Sequence, residues 1–258
     1  MNVKIIVAAH KKYWMPDDDV YLPLHVGRAG KSDLGYLGDD SGDNISEKNA
    51  SFCELTGLYW AWKNLSADWL GLCHYRRYFG RKNFFDGVET VKQRIYRRAD
   101  YEKLLSDADV ILPTRRNYYV ETVRSQYEHA HSPRDLDRIE HIISERHPNS
   151  LRSFRAVMSR RRLHLWNMFV MRRALVDEYC QWLFDILFEF ERWMDANAKP
   201  EEKSRLFGFV AERLLDVWLF DKNLRTVETD VVMLENVNWL KKGSDFIRRK
   251  LFGGRGNV

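Results

Sequence analysis

Two short apolar runs constrain this 258-residue chain more than any other feature. Val3 to Ala9 is β-branched and apolar apart from Lys4, and Trp69-Leu70-Gly71-Leu72-Cys73 is apolar throughout. Runs this short and this apolar read as strands covered on both faces, as in a parallel sheet. The expected fold class is therefore α/β, a single domain with a mostly parallel central sheet flanked by helices, which this length can support. Polar and cationic groups gather where the runs finish. His10, Lys11 and Lys12 follow the first; His74, Arg76 and Arg77, interleaved with Tyr75, Tyr78 and Phe79, follow the second. Open α/β sheets bind ligands outside the carboxyl ends of their strands. An imidazole and two guanidiniums there suit a di-anionic phosphate, because arginine offers a planar fork of donors. For His10 and Lys12 a solvated turn is the competing reading, and for the aromatics it is core packing.

Between the two runs, Asp43-Asn44-Ile45-Ser46 leads into a helical pattern. Ser46 reads as the N-cap, with Asn49 at the position of a capping-box partner. Phe52, Leu55, Tyr59 and Trp62 then make one apolar stripe, and Lys63-Asn64 supplies the stop. A helix N-terminus can host an anion, which places Asp43, Asn44, Ser46 and Asn49 among the candidate binding residues. In the Gly35 to Gly42 loop, Asp39 and Asp40 read as turn residues, with metal ligation as the alternative.

Val20 to Val26 reads as a second strand, and Pro23 favours an edge or irregular one. Further strands are expected at Asp109 to Pro113 and Leu163 to Met171. Helical patterns cover about Thr90 to Ser106, Glu121 to Glu145 with a break near Ser132-Pro133, Ala174 to Ala196 and Phe207 to Leu219. The aromatics of the 174–196 stretch read as core packing. Asn167 is the anomaly in the last strand, because a buried Asn needs partners. Glu212 and Arg213 stand out on a mostly hydrophobic helix, as a buried ion pair or as a tuned catalytic carboxylate with its neighbour.

The formal net charge is +5, with basic clusters at Arg97-Arg98, Arg115-Arg116, Arg160-Arg161-Arg162 and near the C-terminus. Nucleic acid, an anionic membrane surface or phosphorylated small molecules would each explain this. No nucleic-acid recognition motif is present, and 37 carboxylates nearly balance 42 cations, so nucleic acid is not the expected partner. The three cysteines form no C-x-x-C pair and read as buried free thiols. The absence of a long apolar run and of a leader pattern makes cytosolic residence the expectation. Residues 1–238 read as the domain and 239–258 as a basic amphipathic tail. Such a tail suits either an anionic membrane surface or a solvated helix.

Several motifs taken together resemble a bacterial family of capsule, O-antigen and exopolysaccharide glycosyltransferases first catalogued as a domain of unknown function. They are Ile5 to Lys12, Asn44-Ile45-Ser46 with Asn49, Cys53-Glu54-Leu55-Thr56, Gly71 to Phe79, Trp166 to Met171, Tyr179 to Phe184 and Gly208 to Leu215. The resemblance implies a GT-A-like fold and a sugar-nucleotide-dependent transferase, with galactofuranose the sugar in some members. A UDP-sugar donor and a glycan or lipid-linked oligosaccharide acceptor follow as its expected partners. It also implies acceptor or phosphate contacts from the segment holding Gln126, Tyr127, His131 and Asp135, a sugar-facing Asn167, and Glu212 as the general base, with Asp43 or Asp135 in reserve. GT-A-like enzymes usually hold Mn²⁺ or Mg²⁺ with an Asp-x-Asp pair, whereas the corresponding strand end here is Cys73-His74-Tyr75-Arg76-Arg77. The expectation is that His74, Arg76 and Arg77 neutralise the leaving diphosphate directly, with a cation held by Asp39, Asp40 or Asp43 as the fallback. A non-catalytic nucleotide-sugar- or carbohydrate-binding protein is the alternative reading.

Overall fold

The computed structural model describes residues 1–82, 88–220 and 222–235. The expected tail, 239–258, lies outside them. The chain begins with β1 (Val3–Ala9), β2 (Tyr21–His25) and β3 (Leu37–Gly38), then α1 (Asn49–Phe52) and α2 (Leu55–Asn64). Next come β4 (Trp69–His74), β5 (Arg77–Phe79), α3 (Val88–Gln93), α4 (Arg98–Leu105), β6 (Val110–Pro113) and β7 (Arg116–Asn117). A helical stretch follows: α5 (Val123–Glu128), α6 (Pro133–Arg146) and α7 (Leu151–Ser159). The rest is β8 (Arg162–Leu163), β9 (Phe169–Arg172), α8 (Arg173–Asn197), α9 (Leu206–Leu219), β10 (Thr226–Thr229) and β11 (Val231–Met233).

The main sheet runs β10-β6-β9-β4-β1-β2-β3, and β5 branches from β4 to pair with β11. β1 is parallel to both β2 and β4, β2 to β3, and β10 to β6, while β9 is inserted antiparallel between β4 and β6. The pleat explains why the two apolar runs tolerate so little polarity. Ile6 and Ala8 of β1, with Leu70 and Leu72 of β4, face the larger core under α2, α6, α7, α8 and α9. Val3, Ile5, Val7 and Ala9, with Trp69 and Cys73, face the smaller core, which Tyr101 and Leu105 of α4 help to close. Each such fully buried aliphatic side chain contributes about 1.5–3 kcal/mol. Gly71 is required by β9: a Cβ there would lie 2.9 Å from the Phe169 carbonyl oxygen.

Five local expectations are corrected. The 46–64 helix is broken: Ser46–Lys48 is a 3₁₀ turn, α1 spans one turn, and Cys53 (φ 54°) separates it from α2. Ser46 is not an N-cap, since Ile45 holds that position, and Asn49 closes no capping box but donates to the Cys53 carbonyl at 2.7 Å. The 163–171 strand is two pieces, β8 and β9, joined by a loop in which Trp166 and Asn167 are left-handed. The 90–106 helix divides into α3 and α4. β2 is not at the edge, although its outer neighbour β3 pairs only from Leu24 onward, beyond Pro23.

Candidate active site

From β1 the chain goes to β2 and β3 on one side and returns to β4 on the other. That reversal creates a crevice at the carboxyl ends of β1 and β4, where open α/β sheets take their ligands. A cavity of about 720 Å³ opens there. His10 stands just past β1 and His74 ends β4; Arg76 and Arg77 begin the turn back into β5. Asn49 of α1, Cys53 and Glu54 at the helix break, Trp166 and Asn167 before β9, and Arg205, Phe209 and Glu212 of the α9 region complete the walls.

Backbone strain concentrates on this cavity. Five described non-glycine residues have positive φ, and four of them, Cys53, Trp166, Asn167 and Arg205, line it. Such conformations cost of order 1–3 kcal/mol each and persist where the surroundings enforce them. The enforcement is visible. Glu212 and Asp216 lie four residues apart on α9, hence on one face. Glu212 Oε1 accepts from the Trp166 N–H at 2.5 Å, and Asp216 Oδ2 from the His164 N–H at 2.9 Å. Asn167 donates through Nδ2 to Glu54 Oε1 at 2.7 Å and to the Gly208 carbonyl at 3.0 Å. Its Oδ1 is buried without a partner, an acceptor suited to a ligand hydroxyl.

Behind Glu212 stands Arg213, buried, donating to Glu212 Oε2 at 3.0 Å, the Phe209 carbonyl at 2.8 Å and Gln126 Oε1 at 2.5 Å. Burial raises the Glu212 carboxyl above its usual range, against the opposing pull of Arg213. The His74 Nε2 donates to the Trp166 carbonyl at 2.7 Å, and desolvation lowers its pKa below the usual 6.5. His74 is therefore a neutral ring at neutral pH and not the cation expected from the sequence. Burial and then the Arg76 charge depress His10 in the same direction. Positive charge in the cavity comes instead from Arg76, Arg77 and Arg205. Arg76 reaches Glu235 at 2.6 Å in a half-exposed bridge, whereas no carboxylate among the described residues pairs with Arg77. Burial pushes the Cys53 thiol up to about 11, so no thiolate nucleophile is present at neutral pH.

The structure brings His10, Asn49, His74, Arg76, Arg77, Asn167 and Glu212 together on the cavity, and sets Arg213 and Gln126 behind Glu212. Other sequence candidates lie elsewhere. Tyr78 is fully buried in the smaller core, its hydroxyl directed to the Tyr75 carbonyl at 3.3 Å. Lys12 is exposed and outside the walls. Asp43 accepts from the Tyr59 hydroxyl at 3.0 Å, and Asn44 forms an Asx turn that receives the Ser46 N–H at 3.2 Å. Ser46 donates to Asp39 at 2.5 Å. His131 and Asp135 line a separate cavity of about 300 Å³. His131 packs between the rings of Tyr127 and Phe209, and the Tyr127 hydroxyl donates to Asp135 at 2.8 Å.

Burial pushes His131 down to about 4, with Arg213 adding to the effect. The unfolded chain then binds this proton first as pH falls, so the contribution is complete above 6.5 and is lost between 6.5 and about 4. His131→Asn is expected to flatten the fall of Tm across that window; a Tm profile parallel to wild type would contradict this.

Glu54 and Arg205 are the charged lining residues that the sequence did not single out. The available signal was Glu54's position as the sole carboxylate between Phe52 and Lys63, on an element otherwise apolar. Arg205 carried none, because its place depends on a left-handed residue capping α9. The acidic loop does not fit a metal centre. Both Asp39 oxygens receive protein donors, from Gly27, Arg28, Ser46 and Thr56. Asp40 pairs with Arg28, and none of the three loop carboxylates reaches the cavity.

The fold is thus a mixed α/β sheet whose switch-point crevice is walled by guanidiniums and carboxylates. The chain superposes on WbbM, a bifunctional glycosyltransferase solved in its apo form, with a TM-score of 0.81 and 29% identity, over 92% of this chain and 46% of that one. It thus spans less than half the length of that protein. Residues 4–223 match the family described as Domain of unknown function (DUF4422), and the protein belongs to it. No curated protein matches.

Proposed function

We propose that the protein transfers a sugar, galactofuranose or another hexose, from a UDP-sugar to a glycan or lipid-linked acceptor in bacterial surface polysaccharide synthesis. The observation that carries this reading is the pairing, in one switch-point cavity, of an arginine without a carboxylate partner among the described residues with two carboxylates held in place by loop donors. Arg77, with Arg76 and Arg205, neutralises the departing diphosphate. Glu212, raised by burial and fixed by the Trp166 N–H and Arg213, takes the acceptor hydroxyl proton. Asn167 and Glu54 orient the sugar, the orphaned Asn167 Oδ1 receiving one of its hydroxyls. His74 positions Trp166 and carries no charge. Because both Asp39 oxygens are engaged by protein donors and none of the three loop carboxylates reaches the cavity, no step is assigned to Mn²⁺ or Mg²⁺.

A panel of UDP-sugars, assayed for donor hydrolysis or transfer in the presence of EDTA, tests this reading. Turnover is expected with at least one donor, and Arg77→Met is expected to raise its KM by roughly tenfold, the scale of a charge-assisted contact. Nucleotide-sugar binding without turnover for any donor would favour the non-catalytic alternative, and loss of turnover in EDTA restored by Mn²⁺ would overturn the metal-free assignment.

A further inference from the structure

The β7–β8 ribbon is unlike the rest of the surface. Among the described large hydrophobics, Tyr119 and Val120 are the most exposed, at 76% and 65%. Tyr119 is also the one positive-φ non-glycine residue away from the cavity (φ 59°), held there by Asn117, whose Oδ1 accepts the Tyr119 N–H at 2.9 Å. Tyr118 packs inward against the larger core, so the loop is anchored at one ring and presents the next. Beside this tip runs a row of arginines. Arg116 pairs with Leu163 and Asn117 with Arg162 in the ribbon, and the backbone carbonyls of Arg160 and Arg161 receive the Val123 and Tyr118 N–H groups. Arg160 lies over the Phe220 ring and Arg115 bonds Glu228, but Arg116, Arg161 and Arg162 are exposed with no carboxylate partner among the described residues.

We propose that this ribbon docks the protein on an anionic phospholipid surface. An exposed aromatic and an exposed aliphatic side chain, beside a ribbon whose two faces carry Arg116 and Arg162 with no carboxylate partner among the described residues, match a layer whose phosphates lie just outside hydrocarbon. Charge complementarity selects the bilayer's anionic headgroups, and an amphipathic tyrosine sits well at that depth. The ribbon also leads straight to the cavity. Leu163 of β8 is three residues from Trp166, and α5, which starts just after the tip, carries the Gln126 that bonds Arg213 behind Glu212. Docking would therefore hold the cavity next to the lipid headgroups. The surface goes beyond the transfer reaction, and its test needs no turnover.

The full chain is sedimented with vesicles of phosphatidylcholine containing phosphatidylglycerol, and with phosphatidylcholine alone. Wild type is expected to partition onto the anionic vesicles only, more weakly as salt rises. Each arginine near such a surface is worth about fivefold, so R116Q/R161Q/R162Q is expected to partition about a hundredfold less. Tyr119→Asn, which tolerates a left-handed backbone, is expected to weaken binding without changing the thermal midpoint. Wild-type partitioning by the triple variant would overturn the proposal, as would wild type that ignores anionic vesicles. Salt-sensitive RNA retention through the same arginines, without vesicle binding, would likewise overturn it.

Discussion

Glu212→Gln is expected to lower sugar transfer by roughly 10²–10⁴-fold, the range that a positioned general base supplies. Donor affinity should change little, because Gln keeps a carbonyl oxygen for the Trp166 N–H and the arginines proposed to hold the diphosphate are untouched. The wild-type rate should show an acid limb. Burial raises the Glu212 pKa above the usual 4.5, and the carboxyl must be deprotonated to act, so activity declines as pH falls through that raised value. The Gln variant should lose this limb. Transfer rates with saturating donor across pH, alongside calorimetric binding of UDP, decide the matter. Activity within tenfold of wild type would move the base to Glu54, the other carboxylate on the cavity wall.

Asp39→Ala is expected to cost about 4 kcal/mol of folding stability, a large share of the 5–15 kcal/mol that holds a typical domain together. Asp39 has no exposed surface and accepts from four groups: the Gly27 N–H at 2.8 Å, the Arg28 N–H at 3.1 Å, Ser46 Oγ at 2.5 Å and Thr56 Oγ1 at 2.6 Å. Alanine would leave the Gly27 and Arg28 N–H groups and the Ser46 hydroxyl without this acceptor, with Thr56 Oγ1 still 3.1 Å from the Cys53 carbonyl, and each orphan costs about 1–3 kcal/mol before water or rearrangement relieves some of it. The hub ties the loop after β2 to the 3₁₀ turn before α1 and to α2, so its loss should also loosen Asn49 at the cavity wall. Urea denaturation monitored by tryptophan fluorescence gives the number, and a loss below about 1 kcal/mol would show that the hub is dispensable.

What the sequence disclosed follows from the range of the interactions involved. β1 and β4 were legible because burial on both faces leaves a short run that is almost wholly apolar, and the residues just past them were legible as a consequence. The α1–α2 break was not. An apolar stripe from Phe52 to Trp62 continues across it, and what breaks the helix is the Asn49 side chain bonding the Cys53 carbonyl while α9 abuts through the Arg205 N–H to the Ala50 carbonyl. Both contacts depend on side-chain geometry or on residues about 150 positions away, beyond any local pattern. The same reason hid Glu54, which the break turns toward the cavity. Tyr78 misled in the opposite direction: its neighbours Arg76 and Arg77 line the crevice, while Tyr78 and Phe79 are both buried in the smaller core. Asn167 was legible as an anomaly, though its left-handed backbone was not.

The two clamps from α9 onto the segment before β9 work like a ruler. Four helical residues advance about 6.0 Å, and two residues of chain reach at most about 6.6 Å, so Glu212 and Asp216 can match Trp166 and His164. An added residue between those two amides would put the rungs out of step and release either the acid or the loop. A change in the cavity's shape is thus more easily accommodated at the opposite wall, around Asn49 and Glu54, where the backbone is already bent and no second rung must stay in phase.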